Sequence, residues 1–226
     1  MSDTKKSNEQ GFSLMELMIG MTITLILLSV ISVVVSRAVG VNSREDRKAD
    51  ALVSAQAALN VMSREIGNAG FGLFTDSVSQ TPSNGIIIAD SNTDQIHFRS
   101  NFDNEGDYSL PTGSTVLSTN QPGEDVTYYF DDDTNSIVRY DPNAVTGVPK
   151  ASVIVNRISS VKFKYYNYSD SSSTVTESDV PTTATGRVRI IVEVRLDPVA
   201  GQPDNQTVSF TSDVTLRNSS YMLRQY

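Results

Sequence analysis

Cysteine and tryptophan are absent from this 226-residue sequence, and histidine occurs once, as His97. Without cysteine the chain cannot form disulfides, thiolate metal sites or a cysteine nucleophile, and one histidine cannot build a multi-histidine metal site. Basic residues are outnumbered, because 18 Lys and Arg stand against 26 Asp and Glu and leave a net charge of −8. Nucleic-acid binding needs a concentrated basic face, so we expect no nucleic-acid partner.

Charge is also absent from 20 consecutive residues, 17–36, which read LMIGMTITLILLSVISVVVS. A helix rises about 1.5 Å per residue, so this run is long enough to cross the roughly 30 Å hydrocarbon core of a bilayer. The run is not followed by the A-x-A-like cleavage site of a secretory signal peptide. We therefore predict a transmembrane helix that stays with the mature protein.

One acid, Glu16, lies in the hydrophobic stretch that begins at Phe12. A charged side chain in a bilayer costs free energy, about 2.5–3.5 kcal/mol at the centre and less near an interface. Glu16 therefore either lies at headgroup level, where it marks the end of the span, or is a functional carboxylate with a partner. Its position alone favours the first interpretation.

The residues around Glu16 form a specific pattern. A short polar leader ends in Gly11, and the sequence FSLME (12–16) and the apolar run follow it. This pattern resembles the type III leader and cleavage site of type IV prepilins. The resemblance implies that prepilin peptidase cuts between Gly11 and Phe12, that Phe12 is then N-methylated, and that Glu16 pairs with the Phe12 amine of a neighbouring subunit. Such pairing would answer the energetic objection, because a paired charge costs far less in lipid than a lone one.

The charges beside the span favour the opposite orientation to the one that the resemblance implies. Lys5 and Lys6 precede the span, whereas four basic residues follow it: Arg37, Arg44, Arg47 and Lys48. Taken alone, this distribution would place the C-terminal side in the cytoplasm. A large downstream domain translocates largely regardless of charge, so we give the cleavage pattern more weight and expect the head in the periplasm.

The apolar period changes after Val41. Five residues spaced three and four apart predict an amphipathic helical face: Leu52, Ala55, Leu59, Met62 and Ile66. We therefore predict one helix from Phe12 to about Ile66, ended by the glycines of REIGNAGFG (64–72). The string ALNVMSREIGNAGFG (58–72) resembles the end of the N-terminal helix in PilW-type minor pilins, where an R-[DE]-I-x-x-A-G-[FY] pattern is common.

Downstream of the helix the apolar period is two, which predicts strands. Alternation is clearest over Val188–Leu196, Val208–Leu216 and Val161–Tyr165. Val126–Phe130 with Ile137–Tyr140, and Ile86–Ala89 with Ile96–Phe98, predict two hairpins, whereas 101–115 and 169–186 predict long surface loops. The fold class is therefore α+β and pilin-like, with a long N-terminal helix packed on a mostly antiparallel β-sheet head.

The corresponding domain organisation has three parts. Residues 1–11 form the prepilin leader, 12–41 the transmembrane and filament-core helix, and 42–226 the periplasmic head. Within the head we expect the amphipathic half-helix at 42–66 and the sheet at 73–226.

The head lacks a recognisable catalytic constellation, so we predict no catalytic residues, no cofactor and no enzyme activity. His97, in QIHFR, is predicted to be a strand residue that faces solvent. Asp131, Asp133 and Asn135 follow the D-x-D-x-N opening of a calcium loop, but Ser136 and Pro142 occupy the positions where that loop needs glycine and glutamate. Because polar turns use the same residues, a turn is the preferred interpretation, and a metal site is the weaker alternative.

The resemblance implies a minor pilin of the PilW type, a structural subunit incorporated into or priming the tip of the pilus. Its implied partners are prepilin peptidase, other minor pilins, the major pilin, the inner-membrane assembly platform and a tip adhesin. The implied location is the bacterial inner membrane, as a single-pass protein with a periplasmic head, and then the pilus on the cell surface. Two alternatives stay open: a J-type minor pseudopilin of type II secretion, and a membrane-anchored adhesive binding module.

Overall fold

A computed structural model of the chain describes residues 13–73, 84–103, 119–168, 174–196 and 206–223. Within these ranges the chain divides into two compact units, the first ending at Asp46 and the second beginning at Arg47. Helix α1, Leu14–Gly67, supplies residues to both units. Its 54 residues contain no proline, and the only glycines before its last residue are Gly20 and Gly40, so little in the sequence interrupts the helix.

The second half of α1 packs its small residues into the core. Ala55 and Ala58 are fully buried, as are Met62 and Ile66. Leu52, predicted to face the core, is 43% exposed, and Ala51 on the adjacent face is buried instead. The prediction was wrong at Leu52, because neighbouring helix residues point about 100° apart and the buried side of the helix includes Ala51 rather than Leu52. The small alanine side chains let the helix backbone lie close to the rest of the core.

The rest of the second unit consists mainly of two antiparallel sheets of four strands each. The first sheet has the order β1-β2-β3-β4, with β1 Gln95–Arg99, β2 Asp125–Asp131, β3 Ser136–Tyr140 and β4 Ala151–Asn156. The second has the order β6-β5-β7-β8, with β5 Ser160–Tyr168, β6 Val175–Ser178, β7 Thr185–Arg195 and β8 Thr207–Thr215. A 3₁₀ helix, Ile88–Asp90, and a short helix α2, Ser220–Leu223, complete the described elements.

This architecture confirms the predicted α+β class, and the predicted β2–β3 hairpin is present, with Phe130 paired to Ile137. The other predicted hairpin is reduced to one bridge between Ile86 and Phe98, because residues 88–90 form the 3₁₀ helix. Strand β6 lies within the segment that was predicted to be a loop, and β4 was not predicted. Both are sheet-edge strands with largely exposed side chains, so the alternation that marks a half-buried strand is weak in them.

Helix α1 and both sheets share one hydrophobic core. Its largest fully buried side chains include Met62 of the helix, Phe98 and Tyr128 of the first sheet, and Phe163 and Tyr165 of the second. The segment after α1 is held tightly against the first sheet, because the Gly70 N–H donates to the Arg99 carbonyl at 2.9 Å.

Two glycines permit this close approach. Gly72 has φ of +66°, and a Cβ there would lie 2.3 Å from the Asn101 carbonyl oxygen. Gly85 has φ of +74°, and a Cβ there would lie 2.0 Å from the Gly70 nitrogen. Both positions therefore require glycine for conformation and for space.

Candidate functional site

The start of α1 is a reciprocal cap formed by Ser13 and Glu16. The Glu16 N–H donates to the Ser13 hydroxyl at 3.2 Å, and the Ser13 N–H donates to a Glu16 carboxylate oxygen at 3.0 Å. Such a capping box satisfies two backbone donors that the first turn of a helix leaves unpaired. The carboxylate of Glu16 is thus held at the very start of the helix. Gly11 and Phe12, the predicted cleavage residues, lie outside the described residues.

The apolar run of α1 is uncovered. Every residue from 17 to 36 is exposed, and the large side chains Leu25 and Val34 are 63% and 61% exposed. Hydroxyls within the run are satisfied by the helix itself: Thr24 donates to the Gly20 carbonyl at 2.7 Å, and Ser32 to the Leu28 carbonyl at 2.8 Å. The helix is long and apolar enough to cross a membrane. So large an apolar surface indicates a helix that is covered by lipid or by other protein.

At its other end, α1 is joined to the first sheet by a polar cluster that we call the helix clamp: Glu65, Tyr128, Arg139 and Asp141. One Glu65 carboxylate oxygen accepts the Tyr128 hydroxyl at 2.8 Å and Arg139 Nε at 2.9 Å. Arg139 also donates to Asp141 at 3.2 Å. Burial, the nearby Glu65 charge and the hydrogen bond to Glu65 raise the pKa of Tyr128. Tyr128 therefore stays a neutral donor, and the clamp fixes the end of the helix on strands β2 and β3.

His97 lies in a second charged cluster, between two carboxylates. Its Nε2 is 2.6 Å from Asp125 on β2, and its Nδ1 is 3.0 Å from Asp90 at the end of the 3₁₀ helix. Arg99 on the same strand donates to the other Asp125 oxygen at 2.8 Å. The prediction that His97 faces solvent was wrong, because only 13% of its side chain is exposed. With a carboxylate at each ring nitrogen, the geometry favours the imidazolium, which donates from both.

The surroundings of His97 shift two pKa values in opposite directions. Burial alone would lower the pKa of His97, but the hydrogen bonds to Asp125 and Asp90 and the charge of Asp125 raise it above its usual value. Burial alone would raise the pKa of Asp125, but His97 and Arg99 lower it. The histidine interaction therefore stabilises the fold fully below the ordinary histidine pKa of about 6.5 and is lost as pH rises through the raised value. The aspartate contribution is present above about pH 3.9 and is lost as pH falls through the lowered value.

We expect a histidine titration midpoint above about 6.5 in the full chain in detergent, and a lower midpoint in Asp125→Asn. Because His97 is the only histidine, one Hε1 resonance in a proton NMR titration reports it without ambiguity. The difference in free energy of unfolding between the wild type and His97→Gln should be larger at pH 5.5 than at pH 8.5. A midpoint at or below the ordinary value would contradict the geometry.

A family profile described as the prokaryotic N-terminal methylation motif matches residues 6–32 of the chain. This motif is the type IV pilin and pseudopilin signal. The matched segment includes Gly11, Phe12, the capping box and most of the apolar run. No curated protein and no solved structure matches the chain.

The match supports a type IV pilin or pseudopilin, a class of structural subunits that are processed by prepilin peptidase and assembled with other pilins. With the uncovered apolar helix, the pilin signal is consistent with anchoring in the inner membrane before assembly. It covers 27 residues at the start of the chain and does not extend to the head.

The calcium-loop hypothesis concerns the turn between β2 and β3. Asp131 already accepts the Asp133 N–H at 3.2 Å and the Thr134 hydroxyl at 2.6 Å, and Asn135 has φ of +49°. These bonds are those of a polar turn. Within the described ranges, no group of three or more His, Asp or Glu side chains is arranged to hold a metal ion. The metal site at Asp131, Asp133 and Asn135 stays an untested alternative.

Sequence reasoning did not assign a role to Glu65, although this residue lies in the REIGNAGFG segment that carried the PilW-type resemblance. A signal was available, because Glu65 lies in the last turn of α1, directly before the buried Ile66. Its partners are 63 and 74 residues away in the chain. No spacing rule connects such distant residues.

Proposed function

We propose that this protein is a minor type IV pilin of the PilW type, a structural subunit that is incorporated into or primes the tip of the pilus. The observation that carries the proposal is the methylation motif at 6–32, which includes the capped start of α1 and most of the uncovered apolar run at 17–36. A subunit that passes from membrane to filament needs such a helix, because lipid covers the apolar surface first and neighbouring helices cover it afterwards.

In this proposal, residues 1–11 are removed and residues 12–41 form the membrane and filament-core part of α1. Residues 42–226 form the periplasmic head. Cleavage after Gly11 creates an amine at Phe12, which is then methylated. The carboxylate of Glu16 is the matching anion on the neighbouring subunit.

The capping box is compatible with that pairing. A carboxylate has about four acceptor positions, and the bond to the Ser13 N–H uses one of them. The remaining positions can accept an ammonium group from another subunit. The box therefore prepares Glu16 for pairing, since it restricts the side chain to the start of the helix before the partner arrives.

The first prediction concerns the mature N-terminus. Protein purified from membranes of the native host should begin at N-methylated Phe12, as measured by mass spectrometry of the N-terminal peptide. Gly11→Val should keep residues 1–11 attached, because a side chain at this position obstructs access of the peptidase to the backbone. An intact leader on the wild-type protein, in cells that contain the peptidase, would contradict the pilin proposal.

The J-type minor pseudopilin of type II secretion is the second candidate, because the matched motif is shared by pilins and pseudopilins. The two differ in where the mature protein accumulates. A minor pilin is recovered in filaments sheared from the cell surface, whereas a pseudopilin stays in the envelope and its deletion impairs protein secretion. Immunoblots of sheared filaments, together with a secretion assay of the deletion strain, therefore separate them.

A further inference from the structure

Two adjoining clefts in the second unit share Asn156, Arg157 and Arg195. The first cleft has a volume of about 90 Å³ and is open to solvent, and α1 contributes Arg47 and Asp50 to its wall. The second cleft lies beside it, against the turn between β2 and β3. The shared residues come from the end of β4, the corner after it and the end of β7, so the sheets hold them together.

The first cleft has an excess of positive charge, although the chain has a net charge of −8. Arg47, Arg157 and Arg195 line it together with one acid, Asp50. The side chains of Arg157 and Arg195 are exposed, and neither forms an ion pair with another described residue. Strand arginines elsewhere face carboxylates at close range: Arg99, Arg139, Arg187 and Arg189. Arg157 and Arg195 are therefore two cationic groups on the wall of the cleft that no carboxylate of the described residues pairs with.

The backbone at Arg157 is held in an uncommon conformation. Its φ is +60°, in the left-handed region that glycine and asparagine adopt most readily. The following residue, Ile158, is buried, and its N–H donates to the Asn135 carbonyl at 3.0 Å. These contacts fix the corner and leave the Arg157 side chain on the wall of both clefts. An arginine at a site of backbone strain points to a use for its side chain.

We propose that this arginine cleft, Arg47, Asn156, Arg157 and Arg195, binds a phosphate ester that carries hydroxyl groups. Guanidinium groups match phosphate oxygens with paired donors, and the Asn156 amide supplies a further donor. Asp50 is the one carboxylate in the cleft and would repel a bare anion. A ligand that also carries a hydroxyl group can donate a hydrogen bond to this carboxylate. Glycerol phosphate has both groups, and it occurs as the headgroup of an anionic lipid or as a soluble ester.

A binding experiment on the full chain in nonionic detergent tests the arginine cleft. The probes are dioctanoyl phosphatidylglycerol, soluble glycerol phosphate and inorganic phosphate, with dioctanoyl phosphatidylcholine as the zwitterionic control. Isothermal titration calorimetry should show saturable binding of phosphatidylglycerol, weakened by about tenfold or more in the double variant Arg157→Gln/Arg195→Gln, because each variant removes charge-assisted hydrogen bonds. Arg217→Gln is the matched control, since Arg217 is exposed and lies outside the cleft. It should change affinity by less than about twofold.

The two ester probes distinguish the sources of the ligand. Binding of soluble glycerol phosphate with the same loss in the double variant identifies a soluble ester, and binding of the lipid alone identifies a headgroup. No saturable binding of any phosphate probe would overturn the proposal. An equal loss in Arg217→Gln, or equal binding of phosphatidylcholine, would overturn it as well. Near-ultraviolet circular dichroism verifies that the variants are folded, and the measurement requires no filament, so its outcome is independent of the proposed pilin function.

Discussion

Glu16→Ala is expected to leave the protein in the inner membrane but to remove it from sheared surface filaments. In the proposed filament, this change leaves the Phe12 ammonium of a neighbouring subunit buried without a counterion, which costs about 3–5 kcal/mol. Membrane insertion of the single chain should be unharmed or easier, because an acid has left the hydrophobic stretch. Immunoblots of membrane and sheared-filament fractions measure the two effects separately. If the protein primes assembly, the variant also lowers the number of filaments per cell.

The capping box makes a second substitution informative. Glu16→Gln removes the charge but keeps an oxygen that can accept the Ser13 N–H, so the helix start is preserved. If charge pairing is the role of Glu16, the Glu16→Gln protein should be lost from filaments as severely as the Glu16→Ala protein. Ser13→Ala provides the converse control, because it removes the hydroxyl that caps the Glu16 N–H and keeps the carboxylate. Normal incorporation of Glu16→Gln, with loss of Glu16→Ala and Ser13→Ala, would refute pairing and assign Glu16 to helix capping.

An anchored adhesive module makes a different prediction for the same strains. Its helix holds the head on a membrane and has no neighbouring amine to pair with, so neither Glu16 variant should alter its location. A filament yield unchanged by deletion of the whole gene would remove the priming role. It would leave incorporation, measured in the sheared fraction, as the surviving part of the proposal.

Long local patterns in the sequence were sufficient for the main elements of the fold. The helix was predicted to end at about Ile66 and ends at Gly67, since the glycine-rich segment that follows cannot continue it. Strand β7 was predicted from strict alternation, and Val188, Ile190 and Val192 are all fully buried. The helix and strand β7 are determined by residues that lie within a few positions of one another in the sequence. The spacing of apolar residues therefore predicts them directly.

The contacts of the head depend on register and could not be predicted in the same way. Alternation assigns His97 to one side of β1, but it does not show which residues lie opposite. The β1–β2 pairing places Arg99 across from Asp125, and this brings the Asp125 carboxylate to His97, 28 residues away in the chain. Asp90 reaches the same ring because the segment before β1 folds into a 3₁₀ helix rather than a strand. His97, which was predicted to face solvent, therefore lies between the carboxylates of Asp90 and Asp125.

The arginine cleft was missed for a related reason. Arg157 and Arg195 are 38 positions apart, the first just after β4 and the second at the end of β7, and each taken singly resembles an ordinary solvated cation. Their juxtaposition with α1 follows from the way the two sheets and the helix share one core. The positive φ of Arg157 is likewise invisible in a sequence that has arginine where glycine or asparagine would mark the turn.

Glu65→Ala, which breaks the helix clamp, is expected to destabilise the head more than any other substitution proposed above. Glu65→Ala removes the shared acceptor of Tyr128 and Arg139 and leaves the hydroxyl of a fully buried tyrosine without its partner. A buried donor without an acceptor costs about 1–3 kcal/mol, and a hydrogen bond to a charged group contributes about 1.5–3 kcal/mol. Glu65 and Arg139 are 27% and 19% exposed, so water compensates in part. We therefore expect a decrease of about 3 kcal/mol in the free energy of unfolding.

Denaturant titration of the full chain in detergent, followed by near-ultraviolet circular dichroism, measures this change. The chain has no tryptophan, so the signal reports tyrosines in packed surroundings, including Tyr128, rather than the helical content of the apolar run. Glu65→Gln should cost less than Glu65→Ala, because an amide oxygen still accepts the Tyr128 hydroxyl. Arg64→Ala is the matched control in the same REI segment, since Arg64 is exposed, and it should change stability by less than about 0.5 kcal/mol. Equal destabilisation by Arg64→Ala and Glu65→Ala would show that loss of the clamp contacts does not account for the effect, because alanine does not lower helix propensity at either position.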